Sequence, residues 1–142
     1  MVPQLMIVKE KSLLSQYNKY HNFDDILKVK RILEVRFPDY VNSFDYIMNG
    51  NALSPYNMFF TKRSYLDEYC SWLFPILSEL ESDINVKDYD TYQGRVFGFI
   101  GERLLNVWLD YNKKRFKIKR IMVVNTNYFS RENTINKLKK RL

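Results

Sequence analysis

Three glycines, Gly94, Gly98 and Gly101, recur four and three residues apart between Gln93 and Tyr111. At about 3.6 residues per turn that spacing lines them along one stripe of a helix. Each costs about 1 kcal/mol relative to alanine inside a helix, so the spacing predicts that something approaches this backbone closely. A tightly packed neighbouring element is the commoner cause; a ligand lying along the stripe is the other. Beside the stripe stand Arg95 and Glu102, about 10 Å apart along the axis. A cation and a carboxylate so placed can flank a polar groove, or can belong to a structural ion-pair network.

The remaining inventory of reactive side chains is short. The 142-residue chain holds one cysteine, Cys70, and one histidine, His21, which excludes an internal disulfide, a multi-cysteine zinc site and a histidine-rich metal cage. A single cysteine is consistent with a reducing cytoplasm. The net charge of +7 and pI near 9.4 favour a polyanionic neighbour, which nucleic acid, an anionic membrane surface or a phosphorylated substrate would each satisfy. Against nucleic acid, there is no zinc, ribonucleoprotein or helix-turn-helix signature, and Lys and Arg stay dispersed until the C-terminus. The start, Met1 to Gln4, has no basic region leading into a long apolar stretch, and no later run approaches about 18 apolar residues. Neither a secretion signal nor a membrane span is expected.

The secondary structure that carries these residues can be read from periodicity. Leu5 to Val8 reads as a buried opening strand, with the rest of its sheet elsewhere or with the strand itself at an edge. Ser12 to Tyr20 and Asp24 to Phe37 read as helices, the second with Asp24 as N-cap and Ile26, Val29, Ile32, Leu33 and Phe37 on one face. Pro38 breaks it, and Asp39 to Met48 restarts as a short helix. Tyr56 to Phe60 has strand character. Ser64 to Glu81 is the clearest helix, with a kink or early stop expected at Pro75. Thr91 to Tyr111 forms a second long helix whose face of Val96, Ile100, Leu104, Val107, Trp108 and Tyr111 is core. Ile118 to Val124 reads as a strand and Thr134 to Leu142 as a basic terminal helix. Trp72 and Trp108 sit in apolar stripes and read as core. With no internal repeat, one α-rich α+β unit is expected.

The order and spacing of Tyr56-Asn57-Met58-Phe59, of Tyr69, Cys70, Trp72, Leu73, Phe74, Ile76 and Leu77, of Arg95-Val96-Phe97-Gly98, and of Glu102-Arg103-Leu104-Leu105 with Trp108 and Leu109 resemble a bacterial family. Tyr17, His21, Asp25 and the run Pro38-Asp39-Tyr40 match it as well. The family is the capsular-polysaccharide glycosyltransferase-like one catalogued as the domain of unknown function DUF4422, and the resemblance runs from Leu5 to about Val124. It implies a GT-A-like nucleotide-sugar transferase fold of few strands and several packed helices, of which residues 1–125 would be the C-terminal half and 126–142 a basic tail or amphipathic helix. It also implies a nucleotide-sugar donor and a growing glycan acceptor. Family members carry the donor-holding strands upstream of this region, so those strands, and any Mn²⁺ or Mg²⁺, are expected from an N-terminal half or a partner chain. The isolated chain would then be inactive by itself.

Such a transferase needs a carboxylate base, and a metal or cations near the departing diphosphate. Asp24, Asp25, Asp88 and Glu102 are the available carboxylates. The resemblance points to Glu102 as base or acceptor-binding residue, with Asp25 as a second catalytic carboxylate, although an exposed helix carboxylate is ordinarily just surface. His21 matches a family histidine near Asp25 and would help hold a metal or a diphosphate; a lone histidine near a helix end is more often structural. Asn57 would place its amide on a sugar hydroxyl, with Met58 and Phe59 alternating into the core. Arg95 would pair with a phosphate or with Glu102, and Gly98 would admit substrate to the helix backbone. The terminal segment, with Ile135, Leu138 and Leu142 on one face of a basic helix, would suit a peripheral anchor at the inner membrane face, where the acceptor is lipid-linked.

Overall fold

The computed structural model describes residues 1–124; the expected terminal helix at 134–142, with the rest of the tail, lies outside the described residues. β1 (Val2–Pro3) and β2 (Met6–Ile7) open the chain, followed by α1 (Leu13–Tyr20), α2 (Phe23–Arg36), a 3-10 turn at Pro38–Tyr40 and α3 (Val41–Asn49). β3 (Ala52–Leu53) precedes the long α4 (Arg63–Asp83). Two further 3-10 turns, Val86–Asp88 and Gln93–Arg95, lead into α5 (Val96–Tyr111), and β4 (Arg120–Ile121) comes last. This is the α-rich α+β class expected. Its strands are two residues long and form two separate ladders, β1 parallel to β4 and β2 antiparallel to β3.

The helices hold the core. On α5, Val96, Ile100, Leu104 and Val107 are all but sealed from solvent, because their spacing of three and four keeps them on one face. Burying each aliphatic side chain contributes about 1.5–3 kcal/mol. α5 packs on α3 and α4, and α2 packs on α4. Tyr111, expected on the same core face, is instead half exposed and stacks on Tyr40 with ring centroids 3.9 Å apart. Trp72 and Trp108 are buried as expected.

Local chemistry sets the helix ends. Ser12 caps α1 by accepting the Ser15 N–H at 3.0 Å. The cap of α2 is Asn22, which accepts from the Asp24 N–H at 3.2 Å; Asp24 itself lies in the first turn, where its charge favours the helix dipole. Pro75 does not stop α4, which runs unbroken to Asp83. An interior proline costs about 3 kcal/mol. Ile76 and Leu80, which follow it and are fully buried, supply the packing that holds the helix together across it.

The strands depart most from expectation. Only Met6 and Ile7 of the Leu5 to Val8 run pair, and both face solvent, because β2 is the outer strand of a two-stranded ladder whose buried residue, Leu53, lies on β3. The buried residues of this region are Val2, Pro3 and Val8. Of Ile118 to Val124, only Arg120 and Ile121 pair. The helix expected from Thr91 begins as an α-helix only at Val96, since Asp90 turns the chain first, its carboxylate accepting the Gln93 N–H at 2.7 Å.

One amide on α5 ties the chain that follows β3 to both the helix and β1. Asn106 on α5 accepts the Ser54 N–H at 2.7 Å and donates to the Ser54 carbonyl at 3.0 Å and the Glu102 carbonyl at 2.8 Å. The Ser54 hydroxyl in turn donates to the Pro3 carbonyl of β1 at 3.0 Å. Asn106 thus behaves as an extra strand residue mounted on a helix. Asn106→Asp keeps the shape but removes the donor and buries a charge, so urea unfolding at neutral pH is expected to show a loss of about 2–4 kcal/mol. Part of that loss should return in mild acid, where the protonated carboxyl can donate again. An equal loss at both pH values would contradict the pairing.

Candidate functional site

One exposed face of α5 brings most of the expected site residues together. Arg95, at the N-cap, and then Gly98, Phe99 and Glu102 succeed one another along it, with the 54–58 loop on one side and the His21 end of α1 on the other. The loop is not the expected strand. Tyr56 and Asn57 have φ of 75° and 50°, the positive-φ non-glycine residues of the described chain. For a tyrosine this conformation costs about 1–3 kcal/mol, and two contacts with α5 hold it: Glu102 Oε1 accepts the Tyr56 N–H at 2.6 Å, and the Asn57 side chain donates to the Gly98 carbonyl at 3.1 Å. The first is charge-assisted and correspondingly strong. Beyond the turn, Phe59 packs on the core and Met58 is exposed.

The three glycines serve different ends. A Cβ on Gly101 would lie 3.2 Å from the Asn57 amide nitrogen, so its missing side chain is what admits Asn57 to the helix backbone. On Gly94 it would meet only a Val86 methyl, at 3.8 Å. At Gly98, which faces solvent, it would meet nothing within 4 Å. The close approach anticipated along the stripe is therefore made by Asn57, and packing does not account for Gly98.

The other flank is aromatic. The Phe99 ring lies 4.1 Å from the His21 ring and 5.1 Å from that of Tyr92, while the Arg95 guanidinium stands 5.4 Å over its face. His21 and Tyr92 are nearly parallel, 12° apart, with centroids separated by 5.7 Å. Arg95 engages this flank, and among the described residues it forms no ion pair with Glu102. Burial, and then the positive charge of Arg103, hold the His21 pKa down to about 4. The neutral ring this leaves brings no positive charge to a diphosphate. Glu102 keeps its second oxygen 3.7 Å from Arg103.

Asp25 lies beneath the surface and not in the groove. It is 1% exposed; one oxygen accepts from the Tyr89 hydroxyl at 2.7 Å, the other has no partner, and burial raises its pKa. Among the described residues no three His, Cys, Asp or Glu side chains gather to a metal-sized cluster. Asp25 is committed to Tyr89 and His21 is packed among the rings of Tyr17, Tyr92 and Phe99, so these side chains do not fit a divalent ion.

Two residues of this region carry no role in the sequence reading. Arg103, 2% exposed, donates to the Phe99 carbonyl at 2.8 Å and to Gln16 at 2.5 Å, with its guanidinium 4.8 Å over the Tyr17 ring. Asn106 pins the loop. Both lie among the apolar positions of α5, and a polar residue on a core face is the signal that could have found them.

A neutral, half-buried His21 has a pH consequence. Its pKa is lower folded than unfolded, so its contribution to stability is complete above the ordinary histidine value of about 6.5 and is lost as pH falls toward 4. His21→Phe preserves the ring contacts and cannot titrate. Denaturation curves are expected to show the native protein weakening between those pH values and the variant changing less; parallel profiles would contradict a neutral His21.

Residues 1–114 match a family model described as a domain of unknown function, DUF4422. No curated protein matches the chain. Among solved structures, the chain is similar to the apo structure of WbbM, a bifunctional glycosyltransferase, with a TM-score of 0.77 and 26% identity over 84% of this chain. It spans 22% of the length of that chain. No helix of the described residues is long and apolar enough to cross a membrane. With most of its length matched by the family model and its helix-rich fold shared with part of a glycosyltransferase, the chain belongs to the DUF4422 family.

Proposed function

We propose that the chain works as part of a bacterial transferase that moves a sugar from a nucleotide-sugar donor to a growing capsular or exopolysaccharide glycan. In this reading residues 1–125 form the C-terminal part of a larger transferase domain. The donor-holding strands, with any Mn²⁺ or Mg²⁺, come from another segment or a partner chain. The two-residue strands, of which β2 and β4 are exposed, and the 22% share of the glycosyltransferase that is matched support that division. The reaction would take place in the cytoplasm, at the inner face of the membrane where a lipid-linked acceptor sits.

The observation that carries the reading is the open space over Gly98. A sugar ring has apolar faces and a rim of hydroxyls, and it is bound by flat aromatic surfaces together with planar polar groups. Tyr92 and Phe99 supply the first, and Asn57 and Glu102 the second. Arg95 adds a charge suited to phosphate. Glu102 is the carboxylate at the groove, and we assign it the acceptor hydroxyl; Asp25 and His21 support the surface from beneath.

Gly98→Ala tests this directly. The added methyl has room, so the variant should be more stable by about 1 kcal/mol. Nucleotide sugars, with and without Mn²⁺, and capsular oligosaccharides would be titrated into both proteins while thermal unfolding is followed. A ligand at about 100 times its Kd stabilises by about 2.7 kcal/mol, and the variant should show less than about half of that shift. A stabilised variant that binds every ligand as the native protein does would remove the groove from the site. Failure of every sugar and nucleotide sugar to shift either protein would count against the transferase reading of this chain.

A further inference from the structure

The N-terminus, the start of α4, the end of α5 and the 59–62 and 115–118 segments line a cavity of about 290 Å³, open to solvent on one side and separate from the groove. Its walls are Tyr65, Tyr69, Leu105, Trp108, Leu109 and Phe116. At about 30 Å³ for each water of the liquid, the hollow has room for an extended hydrocarbon segment. Walls such as these offer water few partners, so the space suits an apolar occupant.

The rim selects the other end of that occupant. Lys62 and Lys117 stand there, both exposed, and among the described residues neither forms a salt bridge. Arg115, at the same rim, is already neutralised by Glu68 at 3.0 Å and also donates to Asn112. α4 begins beside Lys62 with no side-chain cap and no acidic residue in its first turn, so its free amides add to the positive potential. Two unpaired ammonium groups and an uncapped helix start, set over an apolar hollow, complement a multiply charged anion attached to a hydrocarbon.

We propose that this cavity takes the alkyl chain of a lipid phosphate, with the phosphate at the rim between Lys62 and Lys117. The groove at Gly98 and the cavity both border α5, and the 56–62 segment runs between them. The proposal concerns binding alone and stands or falls apart from any sugar transfer.

The test uses the whole 142-residue chain and three probes below their micelle-forming concentrations: dodecyl phosphate, dodecyl maltoside and inorganic phosphate. Calorimetry gives affinity and stoichiometry. A Trp72→Phe reporter leaves Trp108, in the cavity wall, as the source of tryptophan fluorescence. Dodecyl phosphate is expected to bind once per chain, to change the Trp108 emission, and to bind at least about tenfold tighter than dodecyl maltoside. The double variant Lys62→Ala, Lys117→Ala alters exposed side chains only and should bring the phosphate probe down to the maltoside affinity. Equal affinity for the two detergents, no effect of the double variant, full competition by inorganic phosphate, or no binding at all would each overturn the proposal.

Discussion

The Asn106 amide meets both backbone groups of Ser54, and the rest of the molecule is arranged around that contact. A strand residue in the middle of a sheet satisfies its N–H and C=O on neighbouring strands, but Ser54 is fully buried and both of its backbone groups are met by a helix side chain. An unpaired buried backbone group costs about 1–3 kcal/mol, so the chain after β3 can be buried only if α5 presents a group with both a donor and an acceptor. A primary amide is the side chain that does this. The Ser54 hydroxyl passes the tie on to β1, and the small sheets are thereby fastened to a helical core that would otherwise have no polar reason to hold them.

Fixing Ser54 sets the path of the next residues of the chain. By Tyr56 the backbone must turn over α5, and Glu102 and Asn57 hold it in the left-handed region. Asparagine tolerates that region because its short polar side chain can bond locally; here the bond is to the helix. Gly101 is a glycine so that this carboxamide can lie against the helix, while Gly98, one turn earlier, is open to solvent. The positions look alike in sequence and have different physical origins.

Behind the groove, a nearly sealed Arg103 governs the electrostatics. A buried guanidinium needs its protons satisfied; Phe99, Gln16 and the Tyr17 ring face meet most of that need, with Glu102 as the nearby countercharge. Burial lowers its pKa, while Glu102 acts in the opposite sense. The same positive charge helps keep His21 neutral, and burial raises the pKa of both Tyr17 and Asp25. The surface is therefore underlain by groups whose charged forms burial disfavours, set around the buried Arg103 guanidinium.

The helices and the core are legible in the order of residues alone, because a helix buries residues at a spacing of three and four, and Ile100, Leu104 and Val107 or Ile76 and Leu80 announce that spacing locally. The same order places Gly98, Asn57, Arg95, Glu102 and His21 within a few short stretches, on a resemblance that the family match bears out. Tertiary contacts, by contrast, decide that Tyr56 to Phe60 is a turn and that Asn22, Arg103 and Asn106 are committed to partners. They also set Asp25 beneath the groove. Each of those outcomes depends on a group distant in the chain: Glu102 for Tyr56, Ser54 for Asn106, Gln16 for Arg103, Tyr89 for Asp25. Periodicity records which face of an element is buried; it carries no information about which polar atom will be found on the other side.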